Sequence, residues 1–104
     1  MHVHEYQQYD ATGLAKLIRG GEVSSNEVFD AAVQAIETLN PTLRGVVRTR
    51  FERASQERLN VSEQALFAGV PTLSKDLLMA LEGEPLAFGS AALANWHPKE
   101  DSLL

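Results

Sequence analysis

Ala65-Leu66-Phe67-Ala68-Gly69-Val70-Pro71-Thr72-Leu73-Ser74-Lys75-Asp76-Leu77-Leu78-Met79-Ala80-Leu81 is the stretch on which the fold reading turns. Its only charged residues are the neighbours Lys75 and Asp76. Val70 to Ser74 suits a buried strand, with Pro71 near its start, where a missing N–H costs least. An apolar run without alternation calls for cover on both faces. Gly83, Pro85, Gly89 and Ser90 break the following residues into turns.

The upstream sequence is different in kind. Residues 1–63 carry 16 charged side chains, whereas residues 64–98 carry four: Lys75, Asp76, Glu82 and Glu84. Asp10 is placed to cap a short helix holding Leu14, Ala15, Leu17 and Ile18, with Gly20-Gly21 at its end. Ser24 and Glu27 have capping-box spacing. Behind them Val28, Ala32, Ala35, Ile36 and Leu39 share one helical face, and Asn40-Pro41 is expected to stop that helix. Leu43 to Val47 reads as a short strand. Thr49 with Glu52 repeats the capping-box spacing and opens a charged helix from Arg50 to about Leu59.

The 104 residues suffice for one small domain. It reads as a helical region over residues 1–63 and an apolar region of strand, turn and helix over residues 64–104. Two features suggest a domain that is incomplete and truncated at the C-terminus. Two or three short amphipathic helices offer little cover for the apolar stretch. Asp101-Ser102-Leu103-Leu104 also reads as an N-cap and the first residues of a helix; a frayed tail is the equal alternative.

Composition excludes several classes. A net charge of −5 disfavours a phosphate backbone, so nucleic acid is not an expected partner. With no cysteine there is no disulfide scaffold and no thiolate zinc site. No uncharged apolar run reaches the roughly 18 residues of a membrane span. Met1-His2-Val3-His4-Glu5 lacks a basic n-region followed by an apolar h-region, so no signal peptide is expected. The expected setting is cytoplasmic, without membrane contact.

Lys75 carries the chemistry. An ammonium in an apolar strand is costly to bury, and burial lowers a lysine pKa until it serves as a general base near neutral pH. The bland alternative is a salt bridge, or a side chain that snorkels at the strand end.

Gly69-Val70-Pro71-Thr72-Leu73-Ser74-Lys75-Asp76 resembles the Gly-Val-Pro-x-x-x-Lys-Asp segment of the amidase signature family. Asp10-Ala11-Thr12-Gly13-Leu14-Ala15, Gly21-Glu22-Val23-Ser24 and Ile36-Glu37-Thr38-Leu39-Asn40-Pro41 are similar to the helices that open it. Gly83-x-Pro85, Gly89-Ser90 and Asp101-Ser102 follow in the family's order, so the resemblance runs from about Glu5 to Leu104. It implies an N-terminal segment of an α/β/α sandwich built on a mixed sheet, supplying outer helices and the first strand or strands. It implies hydrolysis of small-molecule amides by a Ser–cis-Ser–Lys triad. An unprotonated lysine is the ultimate base, one serine relays the proton, a second forms the acyl-enzyme, and backbone N–H groups stabilise the oxyanion. The family's lysine maps onto Lys75. Both serines lie further downstream in the family and map onto nothing here, so the chain alone is expected to be inactive. Ser74 stands where the family more often has an apolar residue.

Other candidates have plainer readings. Ser74 would point away from Lys75 on a strand. Phe88-Gly89-Ser90-Ala91-Ala92 lacks the flanking glycines of a nucleophile elbow, and Ser90 reads as the cap of a helix from Ala91. Asp76 either orients Lys75 or bonds backbone in a turn. His2 and His4 would share a strand face, but no third ligand stands near, so no metal is expected there, and the resemblance implies no metal or organic cofactor. His97 reads as a loop residue, and Trp96 as a packing anchor or a pocket rim. Exposed apolar surface would favour self-association. Two other functions stay open: a non-catalytic protein-interaction module derived from the amidase N-terminus, and the amidotransferase subunit of the same family.

Overall fold

The structure, a computed structural model, describes residues 1–103. It forms two compact units, one running from Met1 to Pro71 and one from Thr72 onward. The first contains helices α1 (Val3–Tyr6), α2 (Ala11–Arg19), α3 (Ser25–Leu43) and α4 (Phe51–Glu57), the last continued by a 3₁₀ turn at Arg58–Asn60.

The caps read at Asp10 and at Ser24 with Glu27 are present. Asp10 accepts the Gly13 N–H at 2.7 Å, and α2 ends at Gly20 with Gly21 in the left-handed region at φ 72°. Ser24 and Glu27 close a reciprocal capping box. The Ser24 hydroxyl accepts the Glu27 N–H at 3.2 Å, and the Glu27 carboxylate accepts the Ser24 N–H at 2.9 Å. The buried face of α3 is Val28, Ala31, Ala32 and Ala35, so it lies one position from the expected stripe, and Leu39 is exposed. Small alanines let neighbours approach α3 closely, and both α1 and α4 pack on it. Val28 is fully buried. From α2, Leu14 and Ala15 join this core.

Three local expectations are corrected. Helix α3 does not stop at Asn40-Pro41 but runs to Leu43. The proline ring is compatible with helical φ and removes one hydrogen bond, to the Glu37 carbonyl, in the final turn only. The helix then ends at Arg44, whose φ is 51°. The short strand at Leu43–Val47 is not formed. Asn40 takes both backbone groups of Val46: its Oδ1 accepts the Val46 N–H, and its Nδ2 donates to the Val46 carbonyl, each at 2.9 Å. Those groups would otherwise pair with a neighbouring strand. Helix α4 starts at Phe51 with Arg50 in the cap position and no side-chain cap, so Thr49 does not open a capping box.

The second unit is built from turns. Among the described residues no strand is present, and Val70–Ser74 runs without a ladder partner. Residues 80–86 and 96–102 nevertheless run antiparallel. Ser102 N–H donates to the Ala80 carbonyl, Gly83 N–H to the Pro98 carbonyl and Leu86 N–H to the Trp96 carbonyl, at 3.0–3.2 Å. Leu86, Ala87 and Pro98 are buried there. Ser90 caps a 3₁₀ turn at Ala91–Leu93, as expected of it. Asp101 accepts the Glu82 N–H at 2.7 Å, so its carboxylate caps a turn of the hairpin. Leu104, the end of the helix expected from Asp101, lies outside the described residues. Among the described residues no helix is long and apolar enough to cross a membrane.

Candidate active site

The motif from Gly69 to Asp76 divides between the two units. Gly69 belongs to the first. Its φ is 77°, and a Cβ built on it would stand 2.7 Å from the Ser25 Cβ, with Ile18 beyond at 3.6 Å. The loop therefore crosses the start of α3 and the end of α2 at a distance that only glycine permits. Two arginines hold this region. Arg58 donates to the Ser25 hydroxyl at 3.2 Å and to the Asn26 carboxamide at 2.7 Å, and Arg19 donates to the Leu66 carbonyl at 3.2 Å.

Lys75 belongs to the second unit and is exposed. The desolvation expected of a buried base is thus not supplied by the residues around it here. Its backbone is held nonetheless. The Lys75 N–H points to the Met79 sulfur at 3.5 Å, across a turn at Asp76–Leu78. Asp76 Oδ1 accepts the Ala87 N–H at 2.9 Å. Asp76 therefore takes the backbone-bonding role of the two read for it. The turn holds Leu78 at φ 65°, and its partner turn holds Phe88 at φ 53° beside Gly89 at φ 70°. Bulky residues in the left-handed region are strained, and their surroundings must hold them there. The Ala87–Ser90 turn is closed by the Ser90 N–H on the Ala87 carbonyl at 2.8 Å.

The remaining candidates stand apart from Lys75. Ser74 is exposed next to it. His4 lies in α1 and His2 stands at its N-cap position without a side-chain cap, so the two do not alternate along a strand. His97 Nδ1 bonds the Asn95 carbonyl at 2.8 Å within its loop. Trp96 is 47% exposed and so is no buried anchor. Among the described residues no group of three His, Cys, Asp or Glu could hold a metal. A shallow cleft of about 250 Å³ in the first unit has Glu5, Tyr9, Glu22 and Glu27 among its lining, and Lys75 is not among them. Sequence reasoning missed Met79 and the Ala87 N–H. The one available signal was the acidic residue directly after the lysine, ahead of a Gly-Ser turn.

The sequence has relatives. It is 39% identical over 75 residues to the 6-aminohexanoate-cyclic-dimer hydrolase of Pseudomonas sp. (strain NK87), a match covering 72% of this chain and 15% of that protein. It is 37% identical over 81 residues to the lipoamidase of Enterococcus faecalis, covering 77% and 11%. It is 28% identical over 92 residues to the acylamidase of Rhodococcus erythropolis, covering 82% and 19%. No protein-family model and no solved structure matches. The relatives define a class, the amidases, which hydrolyse C–N bonds. The family of those enzymes is the amidase signature family, and over the matched residues this chain belongs to it. The chain spans 11–19% of the length of these three relatives.

Proposed function

We propose that this chain is the lysine-bearing N-terminal segment of an amidase, with Lys75 as the base of a Ser–cis-Ser–Lys mechanism acting on small-molecule amides. The observation that carries the reading is Lys75 itself. It follows Gly69-Val70-Pro71 at the family's spacing, in a chain related to amidases, on a turn held by the Asp76 carboxylate on the Ala87 N–H and by the Lys75 N–H on the Met79 sulfur. Gly69 fixes the start of the motif against α2 and α3.

In this mechanism Lys75, unprotonated, takes a proton from the relay serine. That serine in turn deprotonates the nucleophile as it attacks the amide carbonyl. Neither serine has a counterpart among these residues, so the 104 residues alone do not turn over an amide. Lys75 is exposed here, so the base role requires further cover that excludes water from it. In the proposed parent fold, an α/β/α sandwich with a mixed sheet, the residues from Val70 find strand partners. Without them the apolar side chains of the second unit, among them Leu73 at 65% and Leu78 at 69% exposed, favour self-association.

The test is the reading frame that encodes these residues, followed by assay of its product. A frame that runs on into a Gly/Ser-rich segment with two serines, and a product whose amide hydrolysis is lost in Lys75→Ala, support the proposal. A stop codon after Leu104 supports the interaction module instead.

A further inference from the structure

We propose that Asp76 is the positioning residue of this site, fixing where Lys75 stands by stitching the lysine-bearing turn to the buried core of its own unit. This rests on the reading of Lys75 as the base. The stitch spans 11 residues of sequence: Asp76 Oδ1 accepts the Ala87 N–H at 2.9 Å. Ala87 is a firm anchor. It is 7% exposed, its neighbour Leu86 is 5% exposed, and the Leu86 N–H is itself bonded to the Trp96 carbonyl. Lys75 has no such anchor of its own. It is exposed, and its N–H meets only the weak acceptor of Met79, four residues on.

The turn between them also needs holding. Leu78, two residues after Asp76, sits at φ 65° and Phe88, directly after Ala87, at φ 53°, so a strained residue lies close in sequence to each end of the hydrogen bond. A carboxylate is the acceptor suited to this task. It is short enough to bond backbone without reaching past it. Asp76 thus acts on the reaction through the lysine beside it and not by touching substrate.

The test uses the 104-residue chain with its amines labelled by reductive ¹³C-methylation. The sequence has three lysines, Lys16, Lys75 and Lys99, so the Lys75 signal is resolved from few others. Asp76→Ala is expected to raise hydrogen exchange at the Ala87 amide by about tenfold, the equivalent of one lost hydrogen bond. It is also expected to move the Lys75 methyl signal to its position in denaturant while Lys16 and Lys99 stay. Asp76→Asn keeps an oxygen on the same N–H and is expected to retain both native signatures. Protection of the Val28 and Ala31 amides shows that the rest of the chain is folded. The proposal is overturned if Asp76→Ala changes neither signal, or if Asp76→Asn behaves like Asp76→Ala, which would make charge and not the backbone bond the active feature. None of these readouts needs turnover. A hydrolysis indifferent to Lys75→Ala would therefore sink the base reading and leave the stitch standing.

Discussion

Substituting Gly69 by alanine should cost far more than the same change at Gly21, although the two glycines have nearly the same backbone conformation. Their φ values are 77° and 72°, so each alanine would pay the same penalty for the left-handed region, about 1 kcal/mol. At Gly21 an added Cβ meets nothing within 4 Å. At Gly69 it meets the Ser25 Cβ at 2.7 Å, a distance that real Cβ atoms essentially never show. Ser25 Cβ is fixed to the first turn of α3, so it cannot swing aside as the end of a long side chain would. Relieving the clash means moving the loop or the helix, for which overpacking values of about 1–3 kcal/mol apply. Gly69→Ala should therefore destabilise by about 3 kcal/mol and Gly21→Ala by about 1 kcal/mol. Urea unfolding followed by far-ultraviolet circular dichroism measures both, because all four α-helices among the described residues lie before Pro71 and report on this unit. Equal losses within about 0.5 kcal/mol would refute the close approach, and with it the claim that the glycine of the motif is chosen by packing.

Val28→Ala removes a side chain that is fully buried at the centre of the α3 face, and should cost about 2 kcal/mol by the same unfolding measurement; a loss under about 0.5 kcal/mol would mean the core lies elsewhere. The Glu27 carboxyl is held below the usual range, first by the Ser24 hydroxyl and then by the Ser24 N–H. The Glu57 carboxyl is held down by Arg50 and then by Arg53. A depressed acid stabilises fully above its unfolded pKa of about 4.3, and that stability is lost as pH falls through the folded value. Stability against urea should thus fall below about pH 4, and less steeply in Glu27→Gln; parallel pH curves for the two proteins would contradict the assignment. Light scattering should find the 104-residue chain self-associated through its exposed apolar side chains, and a monodisperse monomer would exclude that.

The helical region was legible in the sequence because its signals are local. A cap needs a side chain three residues from an N–H, and Asp10, Ser24 and Glu27 supply one, whereas Thr49 at the same spacing does not because α4 starts one residue later, at Phe51. The end of α3 was not legible, because Pro41 forbids one hydrogen bond and not the turn, and because the partner of Val46 is a side chain, Asn40, that sequence reading took for a helix stop. The strand expected at Val70–Ser74 depends on a neighbour, and an apolar run alone does not say which residues supply one. Lys75 was found through its spacing from Gly69-Val70-Pro71. The Asp76 to Ala87 bond was not, since nothing in the residues between fixes the hairpin register that brings them together.

The most direct test of the central claim is hydrolysis of a panel of aryl amides by the longest polypeptide encoded by the reading frame that contains residues 1–104, beside its Lys75→Ala and Lys75→Arg variants. The expected result is amide turnover that falls about 10²–10⁴-fold in both variants, as loss of a general base requires. Turnover that survives either substitution undiminished would contradict the account.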